Sequence, residues 1–240
     1  MRTIKILVKK ELDYAFNSWT FYIGMFLFFC ICGFYCWMSE SNIFYIEQAS
    51  MLPFFVVIKW IFLFIIPAFA MKALADEKKN ATLELLLTKP IRSNQLIGGK
   101  FFSLLIIVLI MLLLTLPYYF TMLGLGDIDH GQVVGGYLGL LLVGAFYVSI
   151  SVFASAASRT TMSAFFISFG IILCFQFLFH ILGIIIHHAF LSDLFTYLSV
   201  DEHFDSLSRG VLDSRDILYF LSVTLIFLAL TRMALCRSRY

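Results

Sequence analysis

Charged residues are scarce in this chain of 240 residues, in which Asp, Glu, Lys and Arg together make up 13% of the sequence. An ordinary soluble domain has roughly 25% charged residues. Hydrophobic residues make up 61%, and a soluble fold of this size could not bury so much apolar surface. The shortage of charge therefore excludes a soluble globular protein and predicts an integral membrane protein.

The cysteine patterns of disulfide-linked and zinc-binding proteins are also absent. The sequence has five cysteines, none in a Cys-x-x-Cys pair, and most of them lie in apolar runs, where a thiol acts as a small hydrophobic group. His180, His187, His188 and His203 suggest a metal-dependent membrane enzyme as an alternative, but no ligand spacing supports one. We expect no disulfide framework and assign no metal ligands.

Common catalytic motifs are missing as well. The sequence contains neither HExxH nor GxSxG, so the usual support for a zinc protease or a serine hydrolase is lacking. Residues 98–101 (GGKF) lack the earlier glycine of a phosphate loop and have Phe101 where Ser or Thr would hold magnesium. We therefore expect no catalytic residues, and neither ATP nor another cofactor bound by this chain.

Polar residues inside the apolar runs are few. Ser149, Ser151, Ser155 and Ser158 occur among alanines at a spacing that is more typical of close helix packing than of nucleophilic chemistry. Lys59 is an ionisable exception; we interpret it as a side chain that snorkels to the interface, with a functional role as the alternative. An otherwise uncharged interior argues against a proton-coupled carrier or a selective ion channel.

Long apolar windows dominate what the sequence does contain. A helix needs about 20 apolar residues to cross a hydrocarbon core of about 30 Å. Prolines 67 and 117 fall inside such windows and predict kinks, which neighbouring helices can accommodate. We predict an all-α fold with six transmembrane helices in a single membrane domain, 1–240, at about residues 19–38, 53–75, 100–123, 133–157, 162–186 and 216–235.

The distribution of charge predicts the orientation of these spans. With this topology, 14 of the 17 Lys and Arg residues lie on the side that holds both termini and the loop at residues 76–99. The other side holds 10 of the 15 acidic residues. Because basic residues are retained on the cytoplasmic side, we place both termini and the loop in the cytoplasm, with the chain in the bacterial inner membrane.

Residues 3–16 precede the first span and repeat apolar side chains with a helical period. Basic side chains occupy the other face. This pattern predicts an amphipathic helix that lies in the membrane interface, with its lysines near anionic headgroups. The lysines assigned to that contact are Lys5, Lys9 and Lys10.

The stretch at residues 187–215 is too long and too apolar for a simple turn. Large apolar residues recur at helical spacing over 190–198, and 205–209 can form a second short helix. Gly210 is well suited to the left-handed conformation that often follows a helix. We predict a pair of short helices near the outer leaflet between spans five and six.

The loop at 76–99 contains a short amphipathic segment. Residues 81–88 can form two helical turns, with Asn80 as N-cap and Pro90 as a stop. Leu83, Leu86 and Leu87 would share one face, which suits a groove on a soluble partner. Packing of these leucines onto the protein's own helices or the lipid interface is the alternative.

Several blocks of sequence together carry a family resemblance. They are Glu77, residues 82–87 (TLELLL), Pro90, residues 99–101 (GKF), 135–139 (GGYLG), 203–213 (HFDSLSRGVLD) and 215–220 (RDILYF). These blocks resemble ABC-2 type transporter permeases over nearly the whole chain. They are most similar to the subgroup of gliding-motility (GldF-like) and multicopper-enzyme-maturation permeases, although the usual glycine before Thr82 is Ala81 here.

The resemblance implies a permease subunit that dimerises with an identical or different permease in the lipid bilayer. We favour an exporter. The resemblance also implies two cytoplasmic ABC ATPase subunits, which carry ATP and magnesium and press on a coupling helix in the 76–99 loop. No nucleic-acid partner is expected. A non-transporting anchor or scaffold of a motility or secretion assembly is the alternative. The resemblance assigns the ATPase interface to Glu77, Thr82, Leu83, Glu84, Leu85, Leu86, Leu87, Thr88 and Pro90.

Overall fold

The computed structural model describes residues 2–38, 51–79, 93–124, 126, 128–186 and 189–237. All regular secondary structure in this part of the chain is helical. A turn of π-helix, Cys174–Leu178, joins the α-helices Thr161–Leu173 and Phe179–Ile185. The helices are α1 (Arg2–Phe16), α2 (Trp19–Met38), α3 (Leu52–Ala70), α4 (Lys72–Lys79), α5 (Ser93–Leu113), α6 (Leu116–Leu123), α7 (His130–Ala157), α8 (Thr161–Leu173), α9 (Phe179–Ile185), α10 (Ala189–Leu198), α11 (Val200–Ser208) and α12 (Ser214–Arg237).

Six segments of the described chain are long and apolar enough to cross a membrane. The prediction of an all-helical fold with six transmembrane helices is thereby confirmed. We call residues 80–92 the connecting segment. Two of the six segments border it, and in both the helix extends past the predicted apolar stretch toward these residues. The six are Trp19–Met38, Leu52–Lys79, Ser93–Leu123, His130–Ala157, Thr161–Ile185 and Ser214–Cys236, numbered here as spans 1 to 6.

Two of the spans are interrupted near a proline. In span 3 the break falls at Leu114 and Thr115, and Pro117 lies in the first turn of α6, where its missing N–H costs nothing. In span 2, Pro67 lies inside α3 and its carbonyl oxygen accepts a hydrogen bond from the Met71 N–H at 2.9 Å. The chain then turns at Met71 into α4. Each of these two spans is therefore built from two helices.

Span 4, helix α7, lies at the centre of the bundle and is the most buried of the six. Close packing depends on glycines at its start: a Cβ atom on Gly136 would lie 2.2 Å from the Phe55 ring, and one on Gly135 would lie 2.4 Å from the Leu207 carbonyl oxygen. Further along α7, the buried Tyr147 hydroxyl donates to Gln176 in the π-helical turn at 2.7 Å. These contacts fix α3, α11 and span 5 around one central helix.

Spans 1, 5 and 6 leave most of their surface outside the bundle. Their exposed side chains are large and apolar, as with Phe26 on α2, Phe166 on α8 and Leu225 on α12. Such a surface is stable against lipid or against another membrane subunit, but not against water. The bundle therefore has a buried centre and a broad apolar periphery.

A pair of short helices, α10 and α11, lies between spans 5 and 6, as predicted. Helix α11 begins at Val200, earlier than the sequence suggested, because the Ser199 hydroxyl accepts from the Asp201 N–H and caps it. Gly210 has a φ of 84°, in the left-handed region expected just after a helix. This pair places charged residues against spans 2 and 6.

Candidate functional site

A cluster of three charged side chains lies next to the connecting segment, and we call it the Lys100 cluster. The Lys100 ammonium lies 2.7 Å from a carboxylate oxygen of Glu77 and 2.8 Å from one of Glu11. Glu77 is near the end of α4, Lys100 is in the second turn of α5, and Glu11 is on α1. One lysine thus joins three helices, including those that enter and leave the connecting segment.

Local packing explains why Lys100 is buried. A Cβ atom on the neighbouring Gly99 would lie 2.9 Å from the Leu7 Cβ, so the glycine allows α1 to lie directly on α5. Leu7 is buried by this contact, and Glu11, four residues later on α1, comes onto the same face beside Lys100. Residues 98–100 therefore form part of a helix rather than a phosphate-binding loop.

The electrostatics of the cluster depend on its lysine. The Lys100 side chain is 5% exposed, whereas those of Glu11 and Glu77 are 18% and 14% exposed. Two hydrogen bonds between charged partners stabilise the ammonium group away from water. Removing it would leave two poorly hydrated carboxylates facing each other, an arrangement that strongly opposes the packing of α1, α4 and α5.

The segment before the connecting segment is also fixed to the central helix. The Ser155 hydroxyl of α7 accepts hydrogen bonds from the Leu74 and Ala75 N–H groups, each at 3.0 Å, and donates to the Met71 carbonyl at 3.1 Å. These two N–H groups are in the first turn of α4, where no partner exists within the helix. The Lys78 ammonium donates to the Ala156 carbonyl. Helix α4 is thus anchored at both of its ends.

The structure brings only part of the predicted interface together. Glu77 belongs to the Lys100 cluster. Lys5, Lys9 and Lys10 lie on the exposed face of α1. The remaining assigned residues, Thr82, Leu83, Glu84, Leu85, Leu86, Leu87, Thr88 and Pro90, lie outside the described residues.

A second charged contact lies toward the other end of the bundle, and it corrects the interpretation of Lys59. The Lys59 ammonium lies 2.5 Å from an Asp201 carboxylate oxygen and 4.7 Å from the centre of the Phe204 ring. Lys59 is 3% exposed, so the interpretation that its side chain snorkels to the interface is wrong. The error has a physical cause: its partner lies on α11, 142 positions away in sequence, and no local pattern places that helix against α3.

His203 connects the same helix, α11, to span 6. Its Nδ1 lies 2.7 Å from an Asp216 carboxylate oxygen, and its Nε2 lies 2.8 Å from the Tyr197 carbonyl oxygen. A carbonyl oxygen can only accept, so Nε2 carries a proton, and a further proton must lie between Nδ1 and Asp216. The imidazole stacks on Tyr219, with ring centres 4.0 Å apart. Helix α11 is therefore linked to span 2 by the Lys59–Asp201 ion pair and to span 6 by the His203–Asp216 hydrogen bond.

The interior is thus more polar than the sequence indicated. The sequence prediction does not pair Glu11 with Lys100, although Glu11 lies four residues after Leu7 on the apolar face of α1, which is a local signal of burial. Lys59, Asp201, His203 and Asp216 could not be paired from one sequence. In the part of the chain that the structure describes, no three His, Cys, Asp or Glu residues lie close enough together to hold a metal ion.

Comparison with known proteins gives one family match. A family model described as an ABC-2 family transporter protein matches residues 6–238, from within α1 to just past the end of α12. A comparison with curated proteins gave no match. The matched region includes the Lys100 cluster, the connecting segment and all six spans.

Proposed function

We propose that this chain, which belongs to the ABC-2 family of transporter proteins, is driven by separate ATPase subunits that act on the connecting segment. The family match and the six apolar segments identify a multi-pass transmembrane permease. Permeases of this family generally work with ABC ATPase partners. The proposal concerns where and how such partners act on this permease.

The Lys100 cluster is the observation that carries the proposal. The connecting segment is held at both ends, because Glu77 before it and Lys100 after it form an ion pair. Glu11 adds the amphipathic helix α1 to the same cluster. A force applied to this segment would therefore act on spans 2 and 3 and on α1 together. Through Ser155 it would also reach the central span.

Within the connecting segment, the sequence favours residues 81–88 as the coupling helix. Its three leucines at 83, 86 and 87 would enter a groove on the ATPase, and ATP with magnesium would bind there rather than on this chain. Two ATPase subunits and a second permease subunit, identical or different, would complete the transporter. The exposed lysines of α1 would lie at the anionic membrane surface beside this contact.

The proposal also covers the orientation of the chain in the membrane and the direction of transport. The excess of basic residues favours a cytoplasmic location for the termini and the connecting segment in a bacterial inner membrane. In a cysteine-free background, a cysteine replacing exposed Lys79 should resist an impermeant thiol reagent in intact cells, whereas one replacing exposed Val211 should react. The reverse labelling would contradict this orientation. We favour export, and similarity to the gliding-motility subgroup, on resemblance alone.

The experiment first identifies a neighbouring reading frame that has a phosphate loop and no membrane spans. The chain is then co-purified with that ATPase, and ATP hydrolysis is measured. Leu86→Asp should prevent assembly, because it places a carboxylate in the apolar contact. Glu84→Ala should assemble but alter the hydrolysis rate. Val211→Asp makes the same kind of change in an exposed stretch between α11 and α12, and should behave as the parent protein does.

The competing function is a membrane anchor or scaffold that transports nothing. In that case the chain would still be inserted in the membrane, but ATP hydrolysis by the neighbouring ATPase would be the same with the parent chain, Leu86→Asp and Glu84→Ala. That result would contradict the assignment of residues 81–88 as a coupling helix.

A further inference from the structure

A cavity of about 430 Å³ lies at the α1 end of the bundle, lined by helices α1 to α5 and by Phe165 of α8. This volume is within the range of small-molecule sites in proteins. Glu11 and Lys100 form part of its wall, but most of the cavity lies beyond the Lys100 cluster, between span 1 and spans 2 and 3.

The lining of the cavity changes from polar to apolar along the spans. Ser18, Thr20 and Lys72 line the end next to α1, whereas Leu27 and Phe64 line the deeper part. At a rise of 1.5 Å per residue, Leu27 lies roughly 11 Å along α2 from Thr20. The cavity is therefore amphipathic over roughly a third of the thickness of a hydrocarbon core.

The deeper part of the cavity reaches the apolar outer surface of spans 1 and 2. Ile23, Leu27 and Phe64 line it and are nevertheless 57%, 51% and 53% exposed, on surfaces that face outward from the bundle. Water is unfavourable in a space with so few polar partners, and an empty space would lose dispersion contacts. A hydrocarbon chain that enters from the bilayer satisfies this surface.

Charge at the polar end indicates what the hydrocarbon chain is attached to. The Lys100 ammonium is paired with the carboxylates of both Glu11 and Glu77, so it is not free to bind an anion. Lys72 also lines the cavity, and among the described residues it takes part in none of the ion pairs. Ser18 and Thr20, whose hydroxyl groups hydrogen-bond to each other, line the same cavity. A lysine ammonium and hydroxyl groups in one cavity suit a phosphate group.

We propose that this cavity binds one anionic phospholipid from the leaflet next to α1, with its phosphate at Lys72 and one acyl chain along Leu27 and Phe64. A transmembrane helix of a second copy is a poorer fit, because its apolar surface would bring no anionic group to Lys72 at the polar end of the cavity. The site requires no ATPase partner, so it stands or falls separately from the coupling proposal.

Native mass spectrometry of the purified chain with added phosphatidylglycerol or phosphatidylcholine, matched in acyl chains, tests the site. The parent protein should retain one phosphatidylglycerol per chain in preference to phosphatidylcholine. Lys72→Gln should weaken phosphatidylglycerol binding about fivefold, the change expected for one lysine near an anionic surface. Lys79→Gln removes an exposed lysine of the same helix outside the cavity, and should leave binding unchanged.

A second pair of variants tests the acyl-chain part of the site. Ala68→Trp would fill the cavity and should abolish retention of the lipid, whereas Ala229→Trp adds the same bulk on the exposed face of α12 and should not. If Ala68→Trp aggregates, the proposal is tested by comparing phosphatidylglycerol retention in Lys72→Gln with that in Lys79→Gln. Equal retention of the two lipids, or normal retention by folded Ala68→Trp, overturns the proposal. A lipid-free dimer that Ala68→Trp converts to monomers also overturns it, in favour of a second copy.

Discussion

The ammonium group of Lys100 lies 2.7 Å from a carboxylate oxygen of Glu77, so the helix that leads into the connecting segment is bonded to the helix that leaves it. Neither residue is close to the other in sequence, and Lys100 also holds Glu11 of α1. A single buried side chain therefore determines how three helices meet beside the segment that we assign to ATPase contact. The consequences of this arrangement can be measured.

Replacing Lys100 by Met should destabilise the protein by about 3 kcal/mol, the low end for the loss of one partner from a buried ion pair, because Glu11 and Glu77 are partly exposed. The measurement is thermal unfolding in detergent. Lys79→Met removes an exposed lysine from α4 and should shift the unfolding midpoint little.

The same cluster offers a rescue experiment. Adding Glu11→Gln and Glu77→Gln to Lys100→Met removes the two carboxylates that the substitution exposes to each other, and should restore most of the lost stability. If the triple variant is no more stable than Lys100→Met, the cost arises from packing around Lys100 and the electrostatic explanation is wrong.

The adjacent glycines Gly98 and Gly99 of α5 differ in how much space a side chain would have. A Cβ atom on Gly98 would meet nothing within 4 Å, whereas one on Gly99 would lie 2.9 Å from the Leu7 Cβ. Gly98→Ala should therefore stabilise the helix by about 0.5–1 kcal/mol, the ordinary advantage of alanine. Gly99→Ala should lose that gain and loosen α1, which limited proteolysis near the N-terminus would detect. Equal effects of the two substitutions would contradict the close contact of α1 with α5.

The fold was largely accessible from sequence because lipid imposes a simple rule: about 20 apolar residues cross the core as a helix. The same reasoning explains the helix pair between spans 5 and 6, where apolar spacing over 190–198 and Gly210 both gave local signals. Helix boundaries near the connecting segment were harder to predict, because α4 continues as a helix after the apolar run has ended.

The charged contacts were inaccessible for a different reason. Lys59 and Asp201 are 142 positions apart, and their pairing depends on how α11 packs against α3 and α7. Close packing of α11 depends in turn on Gly135, which leaves room for the backbone at Leu207. A single sequence gives residue types and local spacing, but it does not give the interhelical distances on which such pairing depends.

Ser155 should contribute more stability than the other serines of α7. Ser155→Ala would leave the Leu74 and Ala75 N–H groups buried without their partner, and should cost about 1–3 kcal/mol. Ser151→Ala is the matched control, because the Ser151 hydroxyl bonds only to the Tyr147 carbonyl of its own helix, at 2.8 Å. Comparable losses in thermal stability for the two variants would show that Ser155 does not hold α4 in place.

His203 and Asp216 give the last prediction. Replacing His203 by Phe keeps a ring against Tyr219 but leaves the buried Asp216 carboxylate without its partner, and should cost about 3–5 kcal/mol. Asp216→Asn in the same chain removes the charge and should recover a large part of that loss, as thermal unfolding would show. If the double variant is as unstable as His203→Phe alone, α11 is held to span 6 by the shape of the imidazole and its bond to the Tyr197 carbonyl. The contact between His203 and Asp216 would then contribute little.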